Sequence, residues 1–172
     1  GPTVAELRFE QHWALLKNSD YGGFDVLGTA NDPDSDPIEL VSAQLVDSQD
    51  GALTIDSVNG KVIFTLNAPN GEGMYSVKST GGVQFQFVIS DRIRTFTQTA
   101  TLVITNTAPT PQPLSDSIHW DLSSGKLFSV LQGSTDANSD PIRLLRADSL
   151  SPSNSGLSLQ VQDGQVKVQG KV

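Results

Sequence analysis

Residues 24–66 of this chain recur as residues 128–170 without a gap, each residue 104 positions further on. Phe24, Val26 and Leu27 match Phe128, Val130 and Leu131. Asp32, Ser35, Asp36, Pro37, Ile38 and Leu40 match Asp136, Ser139, Asp140, Pro141, Ile142 and Leu144. Ala43, Leu53, Gly60 and Val62 match Ala147, Leu157, Gly164 and Val166. A period of about one hundred residues is too long for a solenoid unit and suits a whole small domain. The chain therefore reads as a stretch of a tandem array, with a first module over residues 4–108, a Pro-rich linker over 109–113 and a second module over 114–172. Nothing in the second half matches residues 75–105, so the second module is expected to be incomplete, with open strand edges.

A net charge of −8 and an isoelectric point near 4.5 argue against nucleic acid and anionic membrane surfaces, which need clustered Lys and Arg. The chain has no cysteine, so disulfides and thiolate metal sites are excluded. No apolar run approaches the roughly 20 residues that span a bilayer. Gly1-Pro2 reads as the remnant of a cleaved tag.

Strand signals dominate. Ala5, Leu7 and Phe9 alternate with Glu6, Arg8 and Glu10, and Val83, Phe85, Phe87 and Ile89 alternate with Gln84, Gln86 and Val88. Over residues 97–105, Ala100, Leu102 and Ile104 fall on one face and Thr99, Thr101, Val103 and Thr105 on the other. Asn59-Gly60 and Asp163-Gly164 tolerate the positive φ of a type I′ turn, and each predicts a tight hairpin. Residues 11–17 are the best helix candidate and are too short to stand alone. The fold class is all-β, tandem antiparallel β-sandwiches with the second copy incomplete. Three prolines in residues 106–113 mark the boundary as a stiff connector.

Both copies carry an acidic loop, NDPDSDP at residues 31–37 and TDANSDP at 135–141. Asp32, Asp34 and Asp36 place three carboxylates at alternate positions, and the second copy has Asp136, Asn138 and Asp140. Calcium takes six to eight oxygen ligands, which such loops can supply. The Gly and Glu positions of an EF-hand are absent. The plain reading stands beside this one: Asp, Ser and Pro are good turn formers.

The runs GTANDPDSDPIELVSA and QGSTDANSDPIRLLRA resemble the ATDADSG-type segment of cadherin and cadherin-like repeats. LSSGKLFSVLQGSTDAN resembles the strand leading into that segment, and FVISDRIRTFTQTATLVITNTAP is similar to the family's closing strands and junction. The resemblance covers nearly all of the first copy and the first half of the second. It implies extracellular β-sandwich repeats with cation ligands at Asp32, Asp34, Asp91, Asp136 and Asn138. One weak calcium site at the junction, with Asp136 and Asp140 meeting Asp91 and Asn106, is the most it implies. The linker reads Thr105-Asn106-Thr107 where acids are expected, and no Leu-Asp-Arg-Glu motif lies between Gly60 and Tyr75.

His12-Trp13 and His119-Trp120 recur near the start of each copy. The tryptophans read first as core anchors and second as stacking platforms for sugar rings. Arg92 and Arg94 read as charges guarding a sheet edge. Asn70-Gly71-Glu72-Gly73 lacks a phosphate-loop Lys and reads as a turn, and no GxSxG elbow is present. The expectation is a non-catalytic spacing or adhesive repeat of a surface or secreted protein, stiffened by calcium. Its partners would be neighbouring repeats and a protein or glycan on a surface, without nucleic acid or membrane insertion. The alternatives are a carbohydrate- or protein-binding module using Trp13 or Trp120, and an assembly domain whose open second module accepts strands.

Overall fold

Apolar residues at alternate positions send every second side chain to one face of a strand, and this pattern builds the first unit. The computed structural model describes residues 1–77, 82–117, 124–150 and 156–170. It divides into two compact units, Gly1–Asn106 and Thr107–Val172. Among the described residues there is no α-helix. The first unit carries β1 (Leu7–His12), β2 (Phe24–Asp25), β3 (Glu39–Leu45), β4 (Gly51–Asp56), β5 (Lys61–Leu66), β6 (Val83–Ser90) and β7 (Thr95–Thr105). They form two sheets, ordered β1-β7-β6-β3 and β2-β5-β4. Val62 and Phe64 on one sheet and Phe85, Phe87, Ile89 and Leu102 on the other are fully buried and fill the core. Residues 11–17 split as their weak helix signal suggests: β1 runs through His12, then Trp13–Lys17 forms a single 3-10 turn. His12 Nδ1 accepts the Ala14 N–H at 3.3 Å and Leu16 plugs the core.

Among the described residues, every strand pairing in this unit is antiparallel except one. The edge strand β1 runs parallel to β7, with Leu7 opposite Ala100 and His12 opposite Thr105. No hairpin joins these two strands, so chain connection does not dictate their relative direction. The chain consequently enters the unit at one end and leaves it at the other.

The second unit, by itself, carries β8 (Lys126–Phe128), β9 (Leu157–Gln162) and β10 (Gln165–Gly170) in one sheet ordered β8-β10-β9. This repeats β2-β5-β4, with Phe128 opposite Val166 as Phe24 is opposite Val62. The ungapped alignment fails in one place. Ile55 pairs with Val62 whereas Val161 pairs with Val166, so β9 lies 106 positions after β4 while β10 lies 104 after β5. The two-residue slip is absorbed at the hairpins. Asp163-Gly164 forms the expected two-residue turn, with φ of 50° and 74°. In the first copy the loop spans four residues, 57–60, and only Gly60 takes a positive φ. Asp56 Oδ2 there accepts the Asn59 carboxamide N–H at 2.8 Å.

The prolines expected to form a linker belong to the second unit. Pro109, Pro111 and Pro113 alternate, so the missing N–H groups all fall on one side of the chain. The intervening Thr110 exchanges backbone hydrogen bonds with Thr135, at 2.7 and 3.0 Å, as an edge strand requires. Thr3 pairs with Asn31 in the same way in the first unit. Pro2-Thr3 and Pro109-Thr110 thus correspond at a spacing of 107, as do His12-Trp13 and His119-Trp120. Gly1-Pro2, read above as a tag remnant, is part of the folded unit, and Pro2 is buried.

Candidate functional site

The acidic loop of the first copy leads into β3. Asp32 Oδ1 accepts the Asp34 N–H at 2.8 Å and its carbonyl accepts the Ser35 N–H at 3.0 Å, which turns the chain through Ser35 at a φ of 60°. The turn draws one carboxylate oxygen each from Asp32, Asp34 and Asp36 within 4.8 Å of one another. Asp34 and Asp36 are exposed, but the Asp32 side chain is 1% exposed. Its Oδ2 is buried without a hydrogen-bond partner, and the Gly1 ammonium lies 3.7 Å away. A buried carboxylate oxygen is costly unless a positive charge faces it. The facing positive charge here is that ammonium; three hard oxygens gathered this closely are also the donor type that a hard divalent cation takes.

Asp91 lies at this same end. Ser90, just before it, pairs with Glu39, the first residue of β3 after the acidic loop. Its Oδ1 accepts the N–H groups of Arg94 and Ile93, and these bonds hold its carboxyl below the usual carboxylate range. The bonds shape the turn over residues 91–94, in which Arg92 takes a φ of 76°. Arg92 reaches across to Glu39 at 3.6 Å, at the sheet edge where a guarding charge was expected. Asn106 follows the far end of β7. An eleven-residue strand at about 3.3 Å per residue spans roughly 33 Å. Asp91 and Asn106 therefore cannot share one ion, and the junction site that joined them is corrected: Asp91 lies at the end of the sheet where β3 begins, not with the outgoing chain.

The second loop copies the first in backbone and differs in chemistry. Asp136 Oδ1 accepts the N–H groups of Asn138 at 2.8 Å and Asp140 at 3.1 Å, and Ser139 takes a φ of 61°. Asn138 replaces the middle carboxylate, and its Oδ1 accepts the Thr107 N–H at 3.0 Å. That carbonyl oxygen, expected above as a cation ligand, is engaged by the incoming chain.

Trp13 is half-buried against the core, with Tyr75 tilted on it at 5.5 Å and the Lys17 ammonium 5.3 Å from its centre. This packing fits an anchor rather than an open platform for sugars. Trp120 lies outside the described residues. Asn70 Oδ1 accepts the N–H groups of Glu72 and Met74, so residues 70–73 form the expected turn. Sequence reasoning passed over Tyr21. Its hydroxyl donates to the Phe64 carbonyl at 2.6 Å and accepts the Phe64 N–H at 2.7 Å, stapling the loop before β2 to β5. A signal was available: the first copy has an extra Tyr beside Gly22-Gly23 at a position where the second has Gly125.

Two facing sheets, with the first strand laid along the last, define an immunoglobulin-like β-sandwich. The family model for the bacterial Ig domain matches residues 14–105, and the chain belongs to that family. It is a structural, repeat-type module. No curated protein matches the chain.

Proposed function

We propose that this chain is a non-catalytic spacer from a surface or secreted protein, in which Ig-like modules follow one another and hold other domains apart. The observation that carries this reading is the parallel pairing of β1 with β7. A module entered at one end and left at the other adds its full length to a chain of modules. A module with both ends together would add almost none. The net charge of −8 suits a solvated repeat and disfavours nucleic acid and anionic lipid. Among the described residues no helix is long and apolar enough to cross a membrane.

Calcium is part of this proposal, held at Asp32, Asp34 and Asp36. The support is the buried Oδ2 of Asp32, which has no hydrogen bond and faces the Gly1 ammonium at 3.7 Å, beside two exposed carboxylates. The ion would neutralise the loop at the upstream end and stiffen that end of the module.

One observation favours a second reading, acceptance of strands by the second unit. The face of the β8-β10-β9 sheet borders a groove of about 540 Å³ lined by Leu114, Phe128, Val130, Val166 and Val168. The matching face in the first unit is covered by β6 and β7.

Small-angle scattering of the 172-residue chain in calcium and in chelator tests these readings together. The expected result is an extended particle whose profile tightens with calcium, and an Asp32→Asn variant that no longer responds. A freely jointed pair with identical profiles in both conditions would contradict the tuned spacer. Growth of the particle with protein concentration would instead favour strand acceptance.

A further inference from the structure

The two acidic loops share a backbone but differ at their middle position, Asp34 in one and Asn138 in the other. We propose that Asn138 is a positioning residue, a neutral latch that fixes the chain entering the second unit and reduces the free connection before it to a single residue. This deepens the spacer reading and rests on it.

The latch is assembled from three contacts within the second unit. Asn138 Oδ1 accepts the Thr107 N–H at 3.0 Å, Thr110 and Thr135 exchange two backbone bonds, and the Gln112 N–H points to Ser134 Oγ at 3.4 Å. Asn138 is itself held ready, because its own N–H is bonded to Asp136 Oδ1 at 2.8 Å. Upstream, the last paired residue of the first unit is Thr105, opposite His12. Asn106 alone lies between the paired Thr105 and the latched Thr107.

The choice of side chain follows from charge. Asp136 and Asp140 already place two carboxylates on this loop. A third at position 138 would rebuild the cluster seen at Asp32, Asp34 and Asp36, which calls for a cation. A carboxamide offers the same acceptor oxygen without that charge, so the chain entering the second unit is held with no ion. The repeat has thereby divided one loop between two jobs: cation binding where the middle residue is Asp, and capture of the chain where it is Asn.

Amide hydrogen exchange on the whole chain, read residue by residue in chelator, tests the proposal. In Asn138→Ala the Thr107 amide is expected to exchange about fivefold faster, as loss of one net hydrogen bond implies. The Thr110 amide, held by backbone, should keep its rate. Asn138→Asp retains an acceptor oxygen and should keep Thr107 near its original rate. Equal Thr107 rates in the original chain and Asn138→Ala would overturn the latch, as would an Asn138→Asp variant as fast as Asn138→Ala. The spacer reading fails separately: Thr107 protection that depends on Asn138, in a chain that scatters as a freely jointed pair, would leave the latch standing and remove the spacer.

Discussion

Replacing Phe85 with alanine is expected to destabilise the first unit by about 3–5 kcal/mol, the cost of emptying a fully packed aromatic site. Phe85 is 0% exposed on the central strand β6, opposite Ala100 on β7, with the Phe87 ring 6.3 Å away. The side chain fills the space between the two sheets, and neighbours anchored on paired strands cannot collapse into the gap. Domains of this size are stable by only about 5–15 kcal/mol, so a large share of the folded state's margin would be lost. Denaturant titration should show the midpoint falling with an unchanged slope. Val58→Ala is the matched control: Val58 is 92% exposed in the loop before β5, and its loss should move stability by no more than about 0.5 kcal/mol. Similar shifts for the two variants would mean that β6 does not face the β2-β5-β4 sheet.

Removing the Tyr21 hydroxyl should have the next largest effect. Tyr21→Phe leaves both the carbonyl and the N–H of Phe64 without their partner, and an unsatisfied buried polar group costs about 1–3 kcal/mol. The effect carries a pH signature. Burial pushes the Tyr21 phenol up to about 12, against the opposing influence of its bond to the Phe64 backbone. An unfolded tyrosine titrates near 10. The folded state therefore holds this proton more tightly, and the stabilisation is complete below pH 10 and is lost as the pH rises towards 12. The stability gap between the original chain and Tyr21→Phe should be constant up to pH 10 and then close. A gap unchanged to pH 12 would show that the phenol is solvated.

Alternation in residues 83–89 and 97–105 made β6 and β7 legible, because a period of two states directly which face is buried. The same periodicity hides other things. A slip of two residues leaves every side chain on its original face, so the ungapped match of Leu53 with Leu157 gave no sign that β4 and β9 correspond at a different spacing. Alternation is equally silent about strand direction, and so the parallel course of β1 beside β7 could not be read from Leu7 and Phe9. The prolines at 109, 111 and 113 looked like a linker because each lacks a donor. Their alternate spacing leaves the Thr110 and Gln112 donors on one side, which an edge strand tolerates.

The acidic loops were visible as composition, but their chemistry depends on contacts that composition does not encode. Asp32 is buried next to the bridge between Thr3 and Asn31, and Asn138 is engaged by Thr107, 31 residues earlier. Asp91, expected as a cation ligand, has its Oδ1 engaged by the turn over residues 91–94, and the length of β7 separates it from Asn106. Tyr21 was missed because a lone tyrosine before Gly-Gly carries no periodic signal, and its partner Phe64 lies 43 residues away.

In a spacer of this kind, load is expected to pass through the first module from one end to the other along β1 and β7. The chain has no cysteine, so single handles can be placed where they are needed and the module pulled in two directions. Pulling between Thr3→Cys and Asn106→Cys drags β1 along β7, so the bonds between Leu7–His12 and its partner strand are loaded together in shear. Pulling between Thr3→Cys and Arg92→Cys, both at the upstream end, peels the same strands apart one pair at a time. A clearly higher rupture force is expected for the end-to-end pull. Equal forces, or a weaker end-to-end pull, would contradict it.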